Sequence, residues 1–84
     1  MDKAQLIETT AGEAGGSEGV SPEAVERVFD AVFGTVEHPG AIARALRGGE
    51  TVVLGSFGSF RSDDGTPVFQ PGRALTEFLS GQVG

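Results

Sequence analysis

The stretch GSFGSFRSDDGTPVFQPGRAL, Gly55 to Leu75, holds two Phe-bearing segments joined by a few polar residues centred on Asp64-Gly65. Asp-Gly between apolar runs signals a tight β-hairpin. Upstream of it, Thr51-Val52-Val53-Leu54 is rich in β-branched residues and reads as the start of a strand that continues through Gly55-Ser56-Phe57-Gly58-Ser59-Phe60. Phe57 and Phe60 are three apart, so a regular strand sends them to opposite faces; either Gly58 permits a bulge that re-aims one ring, or both faces are covered. Downstream, Asp63-Asp64-Gly65 supplies the turn and Pro67-Val68-Phe69 the returning strand. Pro71-Gly72-Arg73 then opens a closing helix bearing Leu75, Phe78 and Leu79, and Gly81 to Gly84 reads as a frayed tail.

The segment before the hairpin is helical. Asp2 is placed to cap a helix from Lys3 to Ala14 with Leu6, Ile7, Ala11 and Ala14 on one side, and Gly15-Gly16-Ser17-Glu18-Gly19 reads as a helix-to-helix loop. Ser21-Pro22-Glu23 is a strong helix start: a hydroxyl to accept an orphan N–H, a proline at the first helical position, and an acid at the positive end of the dipole. Val25, Val28, Phe29, Val32, Phe33 and Val36 follow at helical spacing as one apolar stripe, which predicts a core-facing surface. His38-Pro39-Gly40 breaks that pattern, because the residue before proline is pushed out of the α region. A short helix resumes over Ala41 to Arg47, with Arg44 and Arg47 at its C-terminal end and Gly48-Gly49 to stop it. Helices, a small sheet and a terminal helix, in that order, define an α+β class and a single domain over 1–84.

Composition limits what such a domain can do. Its 84 residues give a small core filled by six Phe with Val, Leu and Ile, against the conformational entropy of fourteen Gly, so a partner subunit is expected to complete it. The absence of cysteine excludes disulfides and thiolate metal sites, and fits a reducing compartment. With no leader-like N-terminus and no apolar run of membrane length, the chain reads as soluble and cytoplasmic, with no membrane partner. Twelve acids against six Lys and Arg give a net charge of −6, opposite to the basic footprint of a phosphate-gripping protein.

Catalytic and metal chemistry find no support. His38 is the single histidine, and it reads as a helix-end residue. Asp63-Asp64 read as solvated turn formers, the Gly-rich stretches lack the Gly-Lys-Ser/Thr ending of a phosphate-binding loop, and no serine has a base with an orienting partner. The chain is read as a non-enzyme without cofactor.

Several of these segments, taken together, resemble the HU/IHF histone-like family of bacterial nucleoid-associated DNA-binding proteins. Gly55-Ser56-Phe57-Gly58-Ser59-Phe60 is similar to that family's Gly-Phe-Gly-Thr-Phe-like signature, and Phe69-Gln70-Pro71-Gly72-Arg73-Ala74-Leu75 to its Phe-x-Pro-Gly-Lys/Arg-x-Leu entry to the last helix. Lys3-Ala4-Gln5-Leu6-Ile7, Val28-Phe29-Asp30-Ala31-Val32-Phe33 and Gly49-Glu50-Thr51-Val52 fall in the matching order over nearly the whole chain. The resemblance implies an intertwined homodimer in which Phe29, Phe33, Phe57, Phe60 and Phe69 form the dimer core. It also implies nucleoid localisation and phosphate contacts at Lys3, Arg61, Gly72 and Arg73.

Two departures stand out. The family carries a long basic β-ribbon arm with a proline wedge near its tip, where this chain has only Arg61-Ser62-Asp63-Asp64-Gly65-Thr66. The family also runs one helix into the strand, where this chain has the break and extra residues around His38 to Ala43. The expected function is therefore an HU/IHF-like dimeric body with weak, non-specific DNA contact and no bending. The alternative is an acidic dimerisation or protein-interaction module that has lost DNA, a plausible form of it pairing with an arm-bearing HU-like relative.

Overall fold

The structure, a computed structural model, describes residues 1–15 and 19–81; the centre of the expected 15–19 loop and the end of the expected tail lie outside the described residues. Helix α1, Lys3–Gly15, begins at a reciprocal cap: the Gln5 N–H donates to Asp2 Oδ1 at 2.9 Å, and the Asp2 N–H donates to Gln5 Oε1 at 2.9 Å. Helix α2, Pro22–Phe33, begins as the Ser21 hydroxyl accepts the Ala24 N–H at 3.1 Å. The two helices pack on each other, and among the described residues Ile7 and Ala11, both on α1, are the buried apolar side chains.

The apolar stripe does not run on to Val36. Gly34 leaves the helix at φ 86 and ψ 173, a conformation open in practice to glycine alone, while its N–H still donates to the Asp30 carbonyl at 2.8 Å. Val36 is fully exposed. Helix α3, Gly40–Arg47, starts one residue before the expected position and carries Arg44 and Arg47 in its last turn.

The expected strand through 51–60 is two strands. β1, Val52–Leu54, and β2, Gly58–Asp63, are antiparallel, with Val52 opposite Phe60 and Leu54 opposite Gly58. Gly55-Ser56-Phe57 is the turn between them, where Gly55 takes φ 52 and the Phe57 N–H donates to the Leu54 carbonyl at 3.0 Å. Phe57 therefore sits in a turn, and neither a bulge nor a second covered face is needed to place it. β3, Thr66–Pro71, pairs antiparallel with β2, giving a sheet ordered β1-β2-β3. Asp63 opposite Thr66 is the last pair, and Asp64 (φ 54) with Gly65 (φ 84) closes the hairpin with both central residues left-handed, the signature of a type I′ turn. Helix α4, Arg73–Ser80, follows with Gly72 as its N-cap.

By its internal contacts the chain divides into two compact units, Met1–Ala41 and Ile42–Gly84. The first is the α1–α2 hairpin with its exit loop. The second holds most of α3, the sheet and α4.

Candidate nucleic-acid interface

Four residues were expected to meet phosphates, and the structure divides them. Arg61, Gly72 and Arg73 belong to the sheet-containing unit and Lys3 to the helical one. Gly58 of β2 lies opposite Pro71, which places Arg61 three residues, roughly 10 Å, along the strand from the point where the chain turns into α4. Arg61 is exposed and faces Val68 across the ladder.

Arg73, at the first position of α4, is 87% exposed in its side chain, and its Nε donates to Glu77 Oε2 one turn on. This contact holds one edge of the guanidinium. Gly72 has a structural duty: its N–H donates to the Phe57 carbonyl at 2.8 Å, and the Ala74 N–H donates to the Ser56 carbonyl at 3.1 Å. The turn after β1 thus takes the amide of Gly72, one of the four residues expected at phosphates, together with that of Ala74. A β-carbon on Gly72 would lie 2.1 Å from the Ser56 oxygen, which is why glycine stands here.

Lys3 is committed elsewhere. Its Nζ lies 2.6 Å from Asp30 Oδ1 and 5.7 Å from the centre of the Phe29 ring. The hydrogen bond to Asp30 raises the Lys3 pKa above its ordinary 10.5; desolvation opposes it, and the nearby charges of Asp30 and Glu26 add to the rise. The pair spans 27 residues, and neither α1 nor α2 read by itself signals it.

Two further cations, expected only as helix-end charges, are also exposed: Arg44 and Arg47. Arg47, with Ala43 and Leu46, lines a cleft of about 600 Å³ against Ser62, Gly65 and Pro67 of the hairpin. Their spacing at the end of α3 could have flagged them, since helix C-termini on a surface present cations outward.

The five Phe residues expected in the dimer core, of six in the chain, fall into two clusters. Phe29 and Phe33 pack ring to ring at 4.6 Å on α2, beside an apolar groove of about 330 Å³ that Val25, Val28 and Val32 share with Val20 and Thr10. Phe69 holds the second cluster, with Phe60 at 4.9 Å and Phe57 at 5.8 Å. Neither cluster is closed over: Phe33 is 50% exposed, Phe57 52% and Phe69 37%.

Among the described residues no helix is long and apolar enough to cross a membrane, and no group of three His, Cys, Asp or Glu side chains is arranged to hold a metal ion. No protein-family model matches the chain, and no curated protein sequence matches it. Solved structures do match. HU from Thermotoga maritima is 34% identical at a TM-score of 0.74, over 94% of this chain and 98% of that one. A mutant of the same HU is 32% identical at a TM-score of 0.76, over 94% of this chain and 99% of that one. With the Gly-Phe signature, the Pro-Gly-Arg helix entry and the element order all present in a matching fold, the chain belongs to the HU/IHF family of histone-like, nucleoid-associated DNA-binding proteins.

Proposed function

We propose that this chain is the dimeric body of an HU-type protein without its arm, touching DNA weakly and non-specifically and leaving it unbent, by binding and not by catalysis. The observation that carries this reading is the hairpin end. The Asp63–Thr66 pair is closed directly by Asp64-Gly65, so β2 and β3 stop with two carboxylates at the tip and no ribbon beyond them. Kinking a duplex requires an apolar wedge to unstack a base step and a basic arm to hold the flanks. Pro67 sits within β3 opposite Ser62, where it protects an edge.

The open aromatic clusters support a homodimer. Rings that are half-exposed in one chain lose apolar surface to water when a second copy covers them, at roughly 25 cal/mol per Å². A sedimentation series checks this part: the wild-type chain sediments as a dimer at micromolar concentration and Phe33→Asp as a monomer. A folded wild-type monomer at that concentration refutes it.

With Lys3 bound to Asp30, DNA contact falls to Arg61 and Arg73, four cations per dimer. Neutralising that many phosphates gives a logarithmic salt slope of roughly −3 to −4, so binding fades toward physiological salt. Titration of linear, nicked and bent duplexes over a salt series, with fluorescence transfer between duplex ends, is the test. Micromolar or weaker affinity without bending supports the reading; nanomolar affinity at physiological salt, or a strong bend, overturns it.

One observation favours a second reading. Residues 1–41 carry eight acids against two bases, whereas 42–84 carry four of each, so the whole charge excess lies on the helical unit. A protein module of that kind would form mixed dimers with an arm-bearing HU-like relative and weaken its grip on DNA in the nucleoid. If no DNA binding is seen at low salt while a mixed dimer forms, this second reading replaces the first.

A further inference from the structure

The residues between α2 and α3 form a loop within the helical unit whose two ends meet. A β-carbon on Gly34 would lie 2.3 Å from the Pro39 carbonyl oxygen, and one on Gly40, which takes φ 83, would lie 2.5 Å from the Gly34 nitrogen. The backbones at positions 34 and 40 are therefore in direct contact. Inside the loop the Thr35 N–H donates to the His38 carbonyl at 2.7 Å, and the His38 N–H donates to the Thr35 hydroxyl at 3.2 Å. All five side chains from Thr35 to Pro39 are exposed. The loop meets part of its own backbone hydrogen bonding and adds no side chain to the core.

We infer that Gly34 and Gly40 form a backbone clasp that seals residues 35–39 off as a surface excursion, so that the path of the chain out of α2 to Gly40 is set by the two glycines and not by the residues they enclose. Loops with touching ends are compact surface units that tolerate change in length and composition. The clasp needs glycine at both ends for two reasons: the left-handed backbone and the lack of room for a β-carbon. The tip, Val36 and Glu37, is thereby free to vary without disturbing the helices.

The inference predicts an inversion that an ordinary helix junction does not give: adding one methyl group is worse than removing five residues. Strain of this kind corresponds to a melting shift of roughly 5–15 °C in a domain of this size. Thermal unfolding is expected to place Gly34→Ala and Gly40→Ala that far below wild type. A chain lacking residues 35–39, with Gly34 joined to Gly40, is expected to stay within a few degrees of wild type. If Gly34→Ala is neutral or stabilising, position 34 is helical and the clasp does not exist. If the deletion costs as much as the alanine variants, the loop belongs to the core. Hydrogen exchange on the wild-type chain keeps the test decisive where a variant fails to fold: the Thr35 amide is expected to be protected, and exchange at the free rate refutes the closed loop.

Discussion

The helical unit and the sheet unit solve the same problem differently. Residues 1–41 hold Ile7 and Ala11, the buried apolar side chains among the described residues, and the whole charge excess, whereas 42–84 are electrically balanced and keep three central rings partly open around Phe69. One half is a partly finished helix pair with an acidic surface. The other is a three-stranded antiparallel sheet whose aromatic rings stay partly exposed. In a short chain the hydrophobic surplus has to be placed somewhere, and here both halves leave it outside: Val28 and Phe33 on α2, Phe57 at the β1–β2 turn, Phe78 and Leu79 on α4.

The largest expected effect breaks the sheet half. Phe60 lies opposite Phe69 across the ladder and is only partly buried in one chain. If a second copy covers it, Phe60→Ala costs about 3–5 kcal/mol in chemical denaturation and weakens the dimer. A loss below about 1 kcal/mol means the ring stays at the surface and the comparison of two open halves fails.

Gly72→Ala comes next. The added carbon has no room beside the Ser56 oxygen, so the helix entry must shift, at about 1–3 kcal/mol by the usual cost of overpacking. Amide exchange should quicken at Gly72 and Ala74, whose N–H groups hold the β1–β2 turn. Unchanged stability would show that α4 is not locked to that turn.

Arg73→Glu sharpens the electrostatic contrast. Removing an exposed cation of the balanced half and adding an acid is expected to abolish whatever duplex binding low salt allows, while melting temperature moves by a few degrees at most. Retained affinity would move the phosphate site away from the start of α4, toward Arg61, Arg44 and Arg47.

The smallest effect concerns Lys3. Because Asp30 already holds its ammonium, Lys3→Gln is expected to leave duplex affinity within about twofold, less than the loss of a phosphate contact. Its pKa is raised in the folded chain, so the stability contributed by this exposed pair is fully present below pH 10.5 and disappears as pH rises through the raised value. A wild-type advantage over Lys3→Gln that persists unchanged at higher pH would mean that the ammonium plays no part in it.

Much of the chain was legible before any coordinates, because its signals are local. Ser21 before Pro22, Asp2 near Gln5, and Asp64-Gly65 between apolar segments act within a few residues, and each element forms where those residues place it. The readings that changed depend on contacts across longer spans. Val36 fits the period of the α2 stripe, yet the backbone contact between Gly34 and Gly40 ends the helix before it. Residues 51–60 have the composition of one strand, yet the Phe57 and Ser56 carbonyls engage the amides of Gly72 and Ala74, and a turn forms there instead.

The sequence by itself determined the α+β order, the starts of α1 and α2, the two-residue hairpin turn that leaves no ribbon, and the excess of acid, because composition and short-range hydrogen bonding are written along the chain. Tertiary structure alone decided that Lys3 pairs with Asp30, that the Gly72 amide bonds to the turn after β1, and that Phe57 joins Phe60 and Phe69 in one cluster. Each of these brings together groups distant in sequence, and no pattern within a few neighbouring residues records which distant charge, carbonyl or ring will be the partner.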